Sequence, residues 1–258
     1  MSSPKILVWD IETGYNLARI FSLFNKHRPI PHSAIQKERY MISASFKELG
    51  KSKTYAFSLL DTPKLFKKDP TDDSELVKAV HEEISSADAL IAHYGDNFDI
   101  KFFNTRALIN GLPPAPPVLT IDTYKIAKQK FLFNNNRLDY IGKVLKVGGK
   151  ISTSEGLWDR CYDGDPKAVK EMVVYNKQDV NLLEKVYLKL APYVPAKLNL
   201  NHFFGKFEPV CPLCGGNHLQ SRGSRYTRVS QWQRFQCQEC GHWSSAPIHN
   251  DGTLGQLR

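Results

Sequence analysis

Two carboxylates directly follow a short apolar run near the start of the chain. Asp10 and Glu12 come after Ile6–Trp9, whose composition suits a buried strand. Residues i and i+2 of a strand point to one face, roughly 6–7 Å apart at Cα. Because side-by-side carboxylates repel, a fold tolerates them most readily with a divalent cation between them. A solvated strand end would give the same pattern, so this pair alone leaves both interpretations open.

Two later segments carry further candidates. Asp99 follows the apolar run Ala89–Ala92 and stands at the expected start of a helix. Tyr175 and Asp179 are four residues apart in a helical pattern, so they share a face with Cβ atoms about 6 Å apart. Taken separately, Asp99 is also typical of an acid stabilised by a helix dipole. The other two residues are equally typical of a hydrogen-bonded surface pair.

The elements that must position these residues alternate between strand and helix patterns, which predicts an α/β fold with a mixed sheet flanked by helices. A helix is expected from Pro166, after Asp165 as N-cap, to about Leu190. A small C-terminal module follows. We expect residues 1–204 to form the first domain and residues 205–258 the second.

Considered together, the three segments resemble the exonuclease motifs of the DEDD family in their order and approximate spacing. The matching motifs are Asp10-Ile-Glu12, Asn97-Phe98-Asp99 and Tyr175-Asn-Lys-Gln-Asp179. That family consists of 3′–5′ exonucleases on a ribonuclease H-like fold, and tyrosine in the third motif resembles its tyrosine subgroup. The resemblance covers roughly residues 5–192. One position departs from it, since Tyr94 stands where an asparagine usually precedes the second-motif aspartate by five residues.

The resemblance implies a metal-dependent 3′–5′ exonuclease that hydrolyses phosphodiester bonds of DNA or RNA. Two Mg²⁺ or Mn²⁺ ions about 3.5–4 Å apart would stabilise the attacking and leaving oxygens. In the family pattern Asp10, Glu12 and Asp179 hold one ion. Asp10 bridges to the second, which Asp99 reaches, and Tyr175 orients the attacking water. Two alternatives stay open: an endonuclease or structure-specific ribonuclease on the same fold, and an inactive nucleic-acid-binding adaptor.

Four of the five cysteines form two CxxC pairs with 22 residues between them: Cys211, Cys214, Cys237 and Cys240. Each pair can present two thiolates to one ion, and four thiolates make a closed tetrahedral zinc site. The pattern therefore predicts one structural Zn²⁺ in a zinc ribbon. Four free cysteines are the alternative.

Basic and aromatic side chains are interleaved between the two cysteine pairs, and no acidic residue occurs from residue 209 to residue 238. Proteins that bind single strands without sequence preference combine phosphate pairing with base stacking. Alternatively, the aromatic residues pack a small core and the arginines keep it soluble, or the module docks on a protein. The candidates for nucleic-acid contact are Arg222, Arg225, Arg228, Trp232 and Arg234.

Composition limits the remaining classes of protein. The 258 residues are 41% hydrophobic and 24% charged, which excludes a mainly disordered chain. Apolar runs of about five residues are too short for a membrane helix, so no membrane partner is expected. The net charge of +9 favours a polyanionic partner, here the single-stranded 3′ ends of DNA or RNA. The start of the chain has no signal-peptide pattern, so we expect a cytoplasmic protein of a bacterial or phage-infected cell.

Overall fold

The computed structural model describes residues 4–20, 29–202 and 210–257. Within these residues the chain forms a five-stranded mixed sheet flanked by helices and, towards its C-terminus, a separate three-stranded sheet. The α/β class expected from the sequence is confirmed. The domain boundary expected at residue 204 lies outside the described residues and stays a prediction. No helix in the described part of the chain is long and apolar enough to cross a membrane.

The strands and helices have the following bounds. The strands are β1 (Ile6–Thr13), β2 (Leu17–Ala18), β3 (Ile35–Lys37), β4 (Met41–Glu48), β5 (Thr54–Ser58), β6 (Ala89–Ala92), β7 (Leu119–Asp122), β8 (Leu219–Tyr226), β9 (Gln231–Cys237) and β10 (Trp243–Ile248). The helices are α1 (Pro63–Lys68), α2 (Ser74–Ser85), α3 (Asp99–Ile109), α4 (Thr123–Lys130), α5 (Leu138–Val144), α6 (Leu157–Tyr162) and α7 (Pro166–Leu190).

The main sheet has the order β5-β4-β1-β6-β7, with β1 at its centre. β1 is antiparallel to β4 and parallel to β6. It extends past the apolar run that predicted it, because Asp10 pairs with Ser45 of β4 and Glu12 with Ser43. Both carboxylates therefore lie on a strand whose backbone is fixed on one side by β4.

Side chains along β1 alternate between the two faces of the sheet. Leu7 and Trp9 belong to one buried hydrophobic cluster, whereas Val8 belongs to a second cluster that includes residues of α4, α5 and α7. By this alternation Asp10 and Glu12 continue the Val8 face. The strand therefore points both acids toward the side of the sheet that α7 covers.

The long helix α7 begins as its sequence predicts. The Asp165 side chain accepts a hydrogen bond from the Lys167 backbone N–H, and Pro166 occupies the first turn, where its missing N–H costs nothing. Its buried residues recur at helical spacing, and this stripe packs against the main sheet. Two members of the stripe, Asn176 and Asp179, are polar, which marks the part of α7 that faces the carboxylates of β1.

The three-stranded sheet β10-β9-β8 contacts the segment that follows α7. Leu213 is partly buried against the same hydrophobic cluster that contains Val8. The Leu200 backbone N–H donates to the Pro212 carbonyl at 2.9 Å, and His242 Nδ1 lies 3.4 Å from the Pro192 carbonyl oxygen. The C-terminal module is therefore packed onto the end of α7 through both polar and apolar contacts.

Candidate active site and zinc site

The structure brings three of the sequence-derived acids into one cluster. Carboxylate oxygens of Asp10, Glu12 and Asp179 all lie within 4.8 Å of one another. Two of these acids come from β1 and the third from α7, across a sequence separation of more than 160 residues. Asp179 is 1% exposed, so its charge is held in an environment that disfavours it without a cation.

Asp99 lies beside this cluster, at the first residue of α3. It is 4% exposed, and its Oδ1 accepts a hydrogen bond from the Ile11 backbone N–H at 3.3 Å. Ile11 stands between Asp10 and Glu12 on β1. The bond therefore fixes Asp99 directly against the strand that carries the other acids.

Asn176 is a site residue that the sequence reasoning missed. Its Nδ2 donates to Asp10 Oδ2 at 2.8 Å, and its Oδ1 accepts from the Ser43 hydroxyl at 3.2 Å. Asn176 is fully buried. An asparagine in the buried stripe of a helix was a usable signal, because buried amides are retained where their hydrogen bonds are satisfied.

Lys150, in the loop after α5, was also missed. Its Nζ donates to Asp179 Oδ2 and, at 3.0 Å, to the Tyr175 hydroxyl. Its backbone N–H donates to Asp139 Oδ1 at 2.8 Å, which holds the loop to α5. The carboxylate cluster thus contains a cation supplied by the chain itself.

Burial raises the pKa of the clustered acids. The pKa of Asp10 lies well above its usual value because of burial first and then the neighbouring carboxylates. Burial is likewise the largest cause for Glu12 and Asp99, and the pKa of each rises to about 7. The pKa of Asp179 is also raised by burial, while the Lys150 ammonium opposes the shift. Near neutral pH the cluster holds protons that a divalent cation would displace.

The donor set suits a hard divalent cation. Mg²⁺ and Mn²⁺ prefer oxygen ligands, and all the converging ligand atoms here are carboxylate oxygens. Among the described residues, Asp179 Oδ1 is a buried oxygen without a hydrogen-bond partner. A buried acceptor of this kind costs free energy unless a cation or a donor satisfies it. Asp10, Glu12 and Asp179 therefore fit a metal ion, with Asp99 close enough to contribute to its surroundings.

We expect Lys150→Met to destabilise the metal-free protein by about 1 kcal/mol at pH 8, since Lys150 is partly exposed and screening weakens its ion pair. Saturating Mn²⁺ should remove most of this difference, because the metal supplies the missing positive charge. Melting temperatures measured with and without Mn²⁺ test this. Lys143→Met is the matched control, since Lys143 pairs with Asp139 at the surface. An equal loss with and without Mn²⁺ would contradict the role given to Lys150.

Two cavities border the acid cluster. Asp10, Lys150 and Tyr175 line a cavity of about 950 Å³, and Glu12 and Phe98 line a second of about 600 Å³. Both volumes lie in or near the range of about 300–1,000 Å³ that small-molecule sites occupy. The carboxylates therefore have space next to them for groups on either side of a bond lying across the cluster.

The four cysteines of the C-terminal module also form one cluster. Their sulfur atoms lie within 4.8 Å of one another, with 3.7 Å between Cys211 and Cys240 and 3.7 Å between Cys214 and Cys237. A tetrahedron with Zn–S bonds of about 2.3 Å has S–S edges of about 3.8 Å, so the spacing fits Zn²⁺. Each CxxC turn closes on a glycine that follows it, Gly215 or Gly241, and both glycines have positive φ.

The arginines proposed to contact nucleic acid lie on or beside the β8–β9 hairpin. Arg225 and Trp232 are cross-strand partners, and the Arg225 guanidinium lies 5.1 Å from the centroid of the Trp232 ring. Tyr226, next to Arg225, is also exposed. The other three arginines are exposed as well: Arg222, Arg228 and Arg234. The hairpin therefore presents a basic surface with aromatic groups among the charges.

Comparisons with known proteins agree with this fold. A family model described as the RNase_H superfamily matches residues 39–191. No curated protein is significantly similar to the chain. Among solved structures, the family B DNA polymerase from the hyperthermophilic archaeon Pyrobaculum calidifontis resembles it with a TM-score of 0.53 at 15% sequence identity. The match covers 74% of this chain and 25% of the polymerase chain, so this chain spans part of the polymerase, and the likeness concerns the fold alone.

Proposed function

This chain belongs to the RNase H superfamily, and from that premise we propose that it is a metal-dependent 3′–5′ exonuclease of the DEDD type. Its substrate would be the phosphodiester bonds of DNA or RNA. The convergence of Asp10, Glu12 and Asp179 oxygens within 4.8 Å is the observation that carries this proposal. A structural or binding role gives no reason to collect three partly or fully buried acids at one point, because their mutual repulsion opposes folding.

In the proposed reaction Asp10, Glu12 and Asp179 hold the divalent ions, and Asp99 completes the acidic wall of the site. Two such ions, when bound, activate the attacking water and stabilise charge on the leaving oxygen. Asn176 acts as a positioning residue, since its amide holds one Asp10 oxygen and directs the other toward the cluster. The chain's own contribution is thus a rigid, buried set of oxygen ligands.

Tyr175 has the proposed role of orienting the attacking water through its hydroxyl. Its pKa is raised above the usual value, mainly by burial, so the hydroxyl stays protonated at neutral pH and is a poor general base. The hydroxyl already accepts a hydrogen bond from Lys150 at 3.0 Å. It can therefore donate its own proton to a water or a phosphate oxygen next to Asp179.

A 5′-labelled oligonucleotide tests the proposed reaction most directly. With Mg²⁺ or Mn²⁺ we expect a ladder of products shortened one nucleotide at a time, on DNA, on RNA or on both. The same oligonucleotide labelled at its 3′ end should release the label at once as a mononucleotide. Discrete internal products would instead indicate an endonuclease. Binding without hydrolysis under all these conditions would indicate an adaptor, and either result would overturn the proposal.

We also propose that the C-terminal module is a zinc ribbon that helps to bind the nucleic acid. The exposed arginines on the β8–β9 hairpin and the Arg225–Trp232 stack support this role, because such surfaces combine phosphate pairing with base contacts. The module contacts the end of α7, the helix that carries Asp179. A strand bound by the hairpin would therefore be held on the same rigid body as the acids.

The double variant Arg222→Gln/Arg228→Gln should bind single-stranded oligonucleotides about tenfold more weakly. The slope of log K against log salt should also become shallower by about 1, since each lost phosphate contact on a single strand removes about 0.7. Fluorescence anisotropy at several salt concentrations measures both quantities. Lys67→Gln/Lys68→Gln, which removes two exposed charges from α1, is the control of equal charge. An unchanged slope in the arginine variant would argue for protein docking instead.

A further inference from the structure

Tyr94 adopts a backbone conformation that tyrosine normally avoids. It lies two residues after β6 and has a φ of +70°, in the left-handed region where a β-carbon is crowded. Glycine and asparagine enter this region most readily, and the DEDD motif described above has an asparagine at this position. A tyrosine here therefore opposes the local backbone preference, which suggests that its side chain has a use.

The turn that contains Tyr94 is fixed by a different side chain. Asp122, buried at the end of β7, accepts the Tyr94 backbone N–H at 2.9 Å through Oδ1 and the Asp96 N–H at 3.4 Å through Oδ2. The same carboxylate caps α4 by accepting the Tyr124 N–H at 2.9 Å. These bonds involve the backbone of Tyr94 and not its ring. The turn can therefore form with another residue at this position.

The ring of Tyr94 lines the larger cavity beside the acid cluster. It is 44% exposed and meets the Tyr124 ring edge to face, with centroids 4.9 Å apart and an angle of 74° between the planes. Asp10 and Tyr175 line the same cavity. An aromatic surface, supported from one side and open on the other, thus borders the space next to the proposed site of hydrolysis.

Basic side chains border the same cavity. Arg137 and Lys143 are both part of its wall, and Arg137 is exposed. Lys143 pairs with Asp139 at 2.6 Å, so the Arg137 guanidinium has more donors available for a phosphate. The cavity therefore combines an aromatic surface with a cation, as sites for single-stranded nucleic acid do.

We propose that Tyr94, supported by Tyr124, is a stacking platform for one unpaired base of the strand near the bond to be cleaved. Arg137 would pair with a backbone phosphate of that strand. This inference rests on the proposed nuclease function and names the substrate class that the site selects, a single-stranded 3′ end. A base within a duplex is stacked and paired already, so it would have to unpair before it could reach the ring.

Binding of oligonucleotides that carry one abasic position tests the platform. The abasic position is moved stepwise through the four nucleotides nearest the 3′ end, in the Asp10→Asn background so that no strand is cleaved. With Tyr94 present, affinity should fall about tenfold at one of these positions, the value of one base–aromatic stack. Tyr94→Asn should bind the intact strand about tenfold more weakly and should show no further loss at that position.

Two other measurements separate stacking from a structural role. Tyr94→Phe keeps the ring and should retain both the affinity and the abasic effect. Tyr94→Asn should melt at the same temperature as the parent or higher, because asparagine suits the left-handed backbone better. Tyr94→Asn binding that equals the parent's, or an abasic loss that persists in Tyr94→Asn, would overturn the platform. Binding is measured without hydrolysis, so these results are independent of whether the wild-type chain cleaves the strand.

Discussion

Asp10→Asn is expected to reduce hydrolysis of a labelled oligonucleotide by at least about three orders of magnitude and to stabilise the metal-free protein. The loss follows because Asp10 is the proposed ligand common to both ions, and a neutral amide is a much weaker ligand. The gain follows because one of several mutually repelling carboxylates becomes neutral. One pKa unit of such repulsion corresponds to about 1.4 kcal/mol, so we expect a gain of about 1 kcal/mol at pH 8.

The pH dependence of stability gives this prediction its sign. The pKa values of Glu12 and Asp99 rise to about 7 in the folded protein, so the folded state binds protons more tightly than the unfolded chain, whose carboxyl pKa values are about 4. This stabilising contribution is present below about pH 4 and is lost as the pH rises to about 7. The metal-free wild type should therefore melt at a lower temperature at pH 8 than at pH 6, and Mn²⁺ should stabilise it more at pH 8.

Asp96→Asn is the matched control for Asp10→Asn. It makes the same chemical change in the turn before α3, where Asp96 pairs with Lys125 at 2.6 Å. This variant should keep near-wild-type hydrolysis and show no gain in stability at pH 8. Hydrolysis by Asp10→Asn within tenfold of the wild type, with Asp96→Asn unchanged, would remove Asp10 from the reaction.

Loss of zinc should destabilise the whole chain and not the C-terminal module alone. Cys211→Ser removes one of the four ligands, and structural zinc contributes about 10–16 kcal/mol to folding of small zinc modules. Leu213 lies within the same CxxC turn and packs against the cluster that contains α7 residues, so unfolding of the module exposes part of that cluster. We expect a fall in the main melting transition of roughly 5 °C, equivalent to about 2 kcal/mol in a chain of this size.

Metal analysis and calorimetry check this expectation together. The wild type should contain one zinc per chain, and Cys211→Ser should contain far less. Cys161→Ala, which alters a free buried cysteine of the main domain, should keep its full zinc content. If Cys211→Ser lost its zinc and the main transition stayed at the wild-type temperature, the two parts of the chain would be energetically independent.

Local patterns predicted the elements and most of the acids. The Asp165–Pro166 start and the spaced apolar residues predicted α7 to its last residue, because cap chemistry and helical periodicity are both local. The run Ala89–Ala92 predicted β6 with the same bounds. The extension of β1 through Asp10 and Glu12 was not predictable from hydrophobicity, since it depends on pairing with β4.

Lys150 and Asn176 were missed for a different reason. Lys150 lies in an irregular segment between α5 and α6, where no periodicity indicates which way a side chain points. Its role depends on contact with Asp179, 29 residues away. Asn176 was visible within the third motif, but its bond to Asp10 spans 166 residues. Contacts of this kind depend on tertiary packing, which a single sequence does not specify locally.

The Lys150 ammonium has a consequence for the order in which the protein acquires its metals. Because it already offsets part of the negative charge beside Asp179, the main domain can reach its native state without a divalent ion and can exchange that ion freely afterwards. The four thiolates have no such internal substitute, so zinc must be captured while the C-terminal module folds. One metal would then be a permanent part of the architecture, and the other a passing ligand whose supply in the cell sets when the enzyme works.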